Sequence, residues 1–162
     1  MILITGPEST GKTTLAKLLS QATSSTVIPD YSRMYLDALG RDYNYDDIER
    51  MAIAHHTLIE SSMDNSLILD TFLLNYKIWS EYKYGRVSQV IITMLTEYEF
   101  EHVFLLKPDI AWEPDPLREN PYDREELFEL YVSELDKLAW NYNVIDGHGQ
   151  DRLSHALKAL EE

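Results

Sequence analysis

Short apolar runs alternate along the chain with longer stretches in which apolar residues recur every three or four positions. The runs are "ILIT" (2–5), "STVI" (25–28), "SLILD" (66–70), "HVFLL" (102–106) and "YNVID" (142–146), rich in Val, Ile, Leu or Phe. Four or five residues without polar alternation predict strands buried on both faces, as in a parallel sheet. Between them, "KTTLAKLLSQA" (12–22) predicts a helix. In "YDDIERMAIAHHTLIESSMDN" (45–65), Ile48, Met51, Ala52, His55, Leu58, Ile59 and Ser62 share one helical face, and Asp46 with Glu49 has the spacing of a capping box. In "DREELFELYVSELDKLAW" (123–140), Leu127, Tyr131, Leu135 and Leu138 line one side, with Asp123 and Glu126 as the start signal.

This alternation predicts an α/β fold: three layers, α/β/α, around a mainly parallel five-stranded sheet, with binding residues at the carboxyl ends of the strands. One stretch breaks the rhythm. "KPDIAWEPDPLRENPYD" (107–123) holds four of the chain's six prolines and no period, which predicts a long, stiff loop of the kind that serves as a lid, at about 107–124. A length of 162 residues suits one domain spanning 1–162.

Charge narrows the partners. With 28 acidic against 14 basic side chains, the net charge is −14, a surface that repels polyanions, so neither nucleic acid nor an anionic membrane is an expected partner. A phosphate compound needs a strong local site instead. Cysteine is absent, which excludes disulfides, thiolate zinc and thiol catalysis. Neither a signal peptide nor a long membrane-spanning run is present, so a cytoplasmic protein is expected, with homo-oligomerisation left open.

That local site is legible. Gly6-Pro7-Glu8-Ser9-Thr10-Gly11-Lys12-Thr13 satisfies G-x-x-x-x-G-K-S/T between a predicted strand and a predicted helix. Glycines let the backbone N–H groups curl around phosphate oxygens, and the following helix start adds partial positive charge. Gly6, Glu8, Ser9, Thr10, Gly11, Lys12, Thr13 and Thr14 are thus the expected ATP-binding residues, with Lys12 on the β- and γ-phosphates and Thr13 on Mg²⁺. A second Mg²⁺ carboxylate is expected at the end of a buried strand, where Asp70 stands; the bland alternative is a cap for a helix starting near Phe72.

Other polar residues point to a phosphate acceptor. "PDYSRMYLD" (29–37) puts Asp30 near a strand end, suited to orient or deprotonate an acceptor hydroxyl, and Arg33 one turn into the next helix. Arg118 and Arg124 are placed to close over a transferring phosphoryl group. As alternatives, Asp30 caps that helix, Arg33 faces solvent, and both lid arginines pair with nearby carboxylates. The aromatic residues of "FLLNYKIWSEYKYGR" (72–86) follow helical spacing at Phe72, Tyr76, Trp79 and Lys83. They read as core or pocket packing rather than as a nucleic-acid platform.

These motifs together resemble the nicotinamide riboside kinase domain of bacterial NadR-type proteins over nearly the whole chain. The resemblance is carried by the phosphate loop, "DYSRMYL", "MAIAHH", "LILDT" and above all "KPDIAWEPDPLR", with Pro108, Trp112, Asp115, Leu117 and Arg118 at the family's spacing. It implies a kinase that uses ATP and Mg²⁺ to phosphorylate the ribose 5′-hydroxyl of a nicotinamide nucleoside. It implies catalytic roles for Lys12, Asp30 and Arg118, and substrate contacts from Asp30, Tyr31, Arg33, His56, Trp112 and Arg124. Gly147 and Arg152, in and after "DGHGQ", read as an adenine-side loop. The chain departs from the family at Asp30, where relatives carry Glu, at Met34 in place of a second Glu, and at Phe72 in place of Asp. The His-x-Gly-His signature of the family's nucleotidylyltransferase domain is absent from the sequence. The competing reading is an ATP-binding regulatory switch or ATPase without a small-molecule acceptor.

Overall fold

The computed structural model describes residues 1–64 and 66–161. Among them, five parallel strands form one sheet in the order β2-β3-β1-β4-β5, with β1 Ile2–Thr5, β2 Thr26–Ile28, β3 Leu67–Asp70, β4 His102–Leu106 and β5 Asn143–Ile145. Each predicted run became a strand: β1 and β4 keep the expected bounds, β2 and β3 lose an opening serine, and β5 loses Tyr142 and Asp146.

Successive residues of the central strands enter different cores. Leu3, Leu69, Val103 and Leu105 face one side of the sheet, while Ile4, Ile68, Phe104 and Leu106 face the other. A period of two with both faces apolar is the reason these runs show no polar alternation. On the second side pack α1 (Lys12–Thr23) and α7 (Gln150–Ala159), through Leu15, Leu19 and Ala156. The first side is covered by α3 (Tyr45–Glu60), α4 (Leu73–Tyr84), α5 (Gln89–Leu95) and α6 (Arg124–Lys137), through side chains such as Met51, Leu73, Ile91 and Leu135. The three-layer expectation is met.

Local starts differ from the sequence reading. The capping box of α3 is Asn44 with Asp47, not Asp46 with Glu49: Asn44 accepts from Asp47 N and Asp47 reaches back to Asn44 N. Asp47 is buried there, taking further bonds from Arg41, Arg50 and Tyr35, and this network selects it over its exposed neighbour Asp46. The expected helix over 45–65 ends at Glu60, and Asn65 lies outside the described residues. Asp123 occupies the N-cap of α6 without a side-chain cap bond, so no capping box forms with Glu126. Helix α5, capped by Ser88, has no counterpart in the sequence reading, because seven residues hold too little period to register.

Candidate active site

The site forms where β1, β2, β3 and β4 end, around a cavity of about 550 Å³. As β1 leaves the sheet, Gly6 adopts φ +133°, and a Cβ there would lie 2.8 Å from the Leu106 carbonyl oxygen. Only glycine keeps β1 and β4 in register while the loop turns. Gly11, at φ +79°, starts α1 without any side-chain cap, which leaves the first-turn N–H groups available to an anion. Thr10 Oγ1 donates to the Pro7 carbonyl at 2.8 Å. Lys12 Nζ arches back over the loop onto the Gly6 and Pro7 carbonyls, at 2.9 and 2.6 Å. Burial pulls the Lys12 ammonium below its ordinary pKa, against the opposing pull of Asp70, Asp30 and Glu8.

Asp70 closes β3 at 2% exposure, and its Oδ1 is one of two buried side-chain polar atoms without a hydrogen-bond partner among the described residues. It does not cap the next helix, whose N-cap is Phe72. The chain instead turns at Thr71, held at φ +72° with its N–H on the Ile4 carbonyl at 3.0 Å, a strained conformation for a β-branched residue and a common feature of functional sites. Burial raises the Asp70 carboxyl, opposed by the Thr13 hydroxyl and the Lys12 charge. An unpartnered carboxylate oxygen beside a hydroxyl fits Mg²⁺, a hard cation that takes one or two protein oxygens and completes its shell with phosphates and water. Phe72 points the other way, fully buried with its ring edge-on to Tyr98 and Phe100.

The residues expected to meet an acceptor begin with Asp30. Its Oδ1 accepts from both Ser32 N, at 2.9 Å, and Ser32 Oγ, at 2.7 Å, so the residue caps α2 (Tyr31–Leu39). It also lines the cavity with Lys12 and Asp70. Cap and cavity residue are one. Arg33 lines the same cavity and gives its guanidinium to Asp115, at 3.0 and 3.3 Å. Tyr31 and His56 do not line it. Tyr31 packs face to face on His55, with ring centroids 6.3 Å apart, and His56 points towards the turn that follows α5, its Nδ1 2.7 Å from Tyr98 Oη. Adjacent helix positions diverge by roughly 100°, so only one of the two histidines turns inward, and it is His55. Completely buried, His55 meets Tyr76 Oη through Nδ1 at 3.2 Å while its Nε2 has no partner. Burial lowers its pKa to about 4.

Asn75 and Tyr131 line the cavity and escaped the sequence reading as site residues. Thr5 Oγ1 donates to Asn75 Oδ1 at 2.9 Å, and Asn75 Nδ2 donates to Tyr131 Oη at 2.8 Å. This chain joins β1, α4 and α6 along the cavity wall. Tyr131 was visible as a polar-tipped residue within an apolar stripe, but nothing local pairs it with Asn75, 56 positions away. Tyr76 and Trp79 supply an aromatic wall, their rings near parallel at 6.5 Å.

Residues 107–123 contain no helix or strand and lie across the phosphate loop. Arg118 lines the cavity and donates to Ser9 Oγ at 3.3 Å and to the Glu113 carbonyl at 2.5 Å. Arg124, the first residue of α6, holds the Ser9 and Ile110 carbonyls, at 3.1 and 2.9 Å. Trp112 gives its indole N–H to Glu8 Oε1 at 3.0 Å. Glu8 and Ser9, expected on ATP, are thus engaged with the lid. Arg152 is buried at 4% exposure and donates to the carbonyls of Gly147, Thr10 and Lys107 and to Asp109. It ties α7, the phosphate loop and the base of the lid together. Trp112, Arg124, Gly147 and Arg152 do not line the cavity.

With this geometry, comparison with known proteins is informative. The trifunctional NAD biosynthesis/regulator protein NadR of Escherichia coli (strain K12) is 28% identical over 169 residues, covering 99% of this chain and 41% of that protein. Solved structures of a NadR protein superpose with TM-scores of 0.82 in complex with NR (20% identity) and 0.80 in complex with NAD and AMP-PNP (19% identity). Each covers 99% of this chain, which spans 50% and 48% of those chains. Deoxyadenosine kinase from M. mycoides, with products dCMP and dCDP, aligns at a TM-score of 0.62 and 16% identity, over 99% of this chain and 98% of that one. The NadR resemblance read from the motifs is borne out, and the fold is that of nucleoside kinases. A family model described as an AAA domain matches residues 1–152, and the chain belongs to that family.

Proposed function

We propose that this protein is an ATP-dependent small-molecule kinase that transfers the γ-phosphoryl group to the ribose 5′-hydroxyl of nicotinamide riboside or a related nucleoside. One observation carries the reading: Lys12, Asp70, Asp30 and Arg118, on four different segments, line a single cavity. A donor loop, a metal carboxylate, an acceptor carboxylate and a lid cation are the parts that phosphoryl transfer needs.

The phosphate-loop N–H groups and Lys12 hold the donor phosphates. Thr13 and Asp70 would hold Mg²⁺, which supplies charge neutralisation on the phosphate oxygens. Asp30 orients the acceptor hydroxyl and takes its proton as the acceptor oxygen bonds to phosphorus. The bond between the γ-phosphorus and the bridging oxygen breaks, and ADP departs with the bonding pair. Arg118 stabilises the charge spread over the transferring group, and the lid excludes water. Nicotinamide riboside carries a flat cationic ring, which suits the Tyr76 and Trp79 faces in a strongly acidic protein. The NadR structure in complex with NR supports the same acceptor class.

No described helix is long and apolar enough to cross a membrane, and we place the enzyme in the cytoplasm, where its substrates are soluble. The test is ADP formation with a panel of nucleosides that includes nicotinamide riboside, against a blank without acceptor. Turnover stimulated by one nucleoside and absent in Lys12→Ala supports the kinase. Turnover at the blank for every nucleoside, with ATP still raising the melting temperature, leaves the ATP-binding switch.

A further inference from the structure

Glu8 occupies a variable position of the phosphate loop, where a carboxylate beside bound phosphates is electrostatically unwelcome. Its bonds explain its presence. Oε1 accepts from Trp112 Nε1 at 3.0 Å and from Asn120 N at 2.8 Å; Oε2 accepts from Glu119 N at 3.0 Å and more weakly from Asn120 Nδ2 at 3.4 Å. One side chain thus gathers both limbs of the 107–123 loop, including two backbone N–H groups that no neighbouring side chain satisfies by sequence proximity. Beside it, Ser9 Oγ accepts from Glu113 N at 3.0 Å and from Arg118 at 3.3 Å.

We propose that Glu8 is the positioning residue that latches the lid onto the phosphate loop and thereby sets Arg118 over the phosphates. A carboxylate does this better than an amide, because both oxygens accept and charge-assisted bonds to N–H groups are the stronger kind. Glutamine presents one acceptor oxygen and would turn N–H groups towards the N–H groups of the opposite limb. The latch also makes lid placement sensitive to the loop's own conformation, so donor phosphates that reshape the loop move Arg118 with it. Two further ties hold the lid from the acceptor side, Arg33 with Asp115 and Glu119 with Tyr43 and Lys83. On the donor side Glu8 makes four of the bonds that hold it, beside those of Ser9.

The role of Arg118 rests on the kinase reading, but the latch itself does not need catalysis to be read. In the full chain without substrates, trypsin cleavage after Arg118 reports lid release, followed as the 1–118 fragment by mass spectrometry; the Lys107–Pro108 bond resists trypsin. Glu8→Ala is expected to speed this cleavage by ~10-fold or more, with Glu8→Gln intermediate, since local opening governs cutting of a folded chain. Trp112→Phe, which keeps the ring and loses the N–H, gives a smaller acceleration that is absent when Glu8 is already Ala. If substrates are turned over, Glu8→Ala lowers acceptor-dependent kcat by ~10- to 100-fold and changes the ATP KM by less than about 3-fold, the split expected of misplaced transition-state contacts. Unchanged cleavage after Arg118 in Glu8→Ala with an unaltered melting temperature overturns the latch. Equal acceleration at sites throughout the chain, marking global unfolding, overturns it if Trp112→Phe also leaves the Arg118 cleavage at the wild-type rate. Absence of any acceptor-stimulated turnover in the wild type instead counts against the kinase reading and leaves the cleavage result to decide the latch.

Discussion

Arg33 of α2 and Asp115 of the lid face each other as a two-bonded pair, 3.0 and 3.3 Å apart, at the rim of the cavity. The pair links the helix capped by Asp30 to the loop that carries Arg118. Arg33 is half exposed, at 52% of its side chain, so solvent screens the pair and its coupling energy is about 0–1 kcal/mol. Arg33→Gln, Asp115→Asn and the double variant in a double-mutant cycle are expected to couple by less than about 1 kcal/mol in urea unfolding. In catalysis both single variants raise the acceptor KM more than the ATP KM.

Asp47 is the opposite case. Fully buried, it accepts from Arg41, Arg50 and Tyr35, and these bonds hold its carboxyl well below the ordinary carboxylate range. Its stabilisation is therefore present above the ordinary value of 3.8 and is lost as pH falls below it. Asp47→Asn should lower the urea midpoint at neutral pH, because Tyr35, Arg41 and Arg50 lose a charged acceptor, while the two half-exposed guanidinium groups stay solvated.

Asp70 makes a prediction of mixed sign. Its buried carboxyl is raised above the ordinary value, so its charge disfavours the folded protein at neutral pH, an effect that fades as pH falls through the folded value. Asp70→Asn should raise the melting temperature of the unliganded protein by ~2–4 °C, on the order of 1 kcal/mol, while removing most of the further rise that Mg²⁺ with ATP produces. Differential scanning fluorimetry with and without Mg·ATP reads both.

His55 folds neutral. Its pKa falls from an ordinary 6.5 to about 4 through burial, so between these values the unfolded chain binds the extra proton. Stability should rise as pH climbs from about 4 to 6.5 and level off above. The share from His55 is roughly 3 kcal/mol across that window. Unfolding of His55→Gln at several pH values should show a correspondingly shallower slope.

The donor half of this site was legible because it is local. Strand, glycine loop and helix are contiguous from Ile2 to Thr23, and their chemistry depends on residues a few positions apart. The strands were legible because burial on both faces leaves no polar alternation to confuse them, and the lid because its prolines exclude other structure. What sequence hid is what folding joins at long range. Glu8 reads as a nucleotide contact until Asn120 arrives from 112 positions away. Spacing puts His55 on the apolar face of α3, but nothing local pairs His56 with Tyr98, 42 positions away. Arg152 reads as part of an adenine-side loop, yet burial against the Thr10 carbonyl makes it a brace for the phosphate loop.

Asp30→Asn tests the central claim most directly, because asparagine caps a helix about as well as aspartate and so spares the Ser32 bonds while removing the proton acceptor. The measurement is formation of the phosphorylated nucleoside from ATP and nicotinamide riboside, detected by mass spectrometry, together with the melting shift caused by ATP. The kinase account predicts kcat lower by ~10²- to 10⁴-fold, as expected for loss of a general base, with the ATP-induced shift unchanged. No phosphorylated nucleoside from the wild-type chain would contradict the kinase account, and product formed by the variant at the wild-type rate would contradict the role of Asp30 as base.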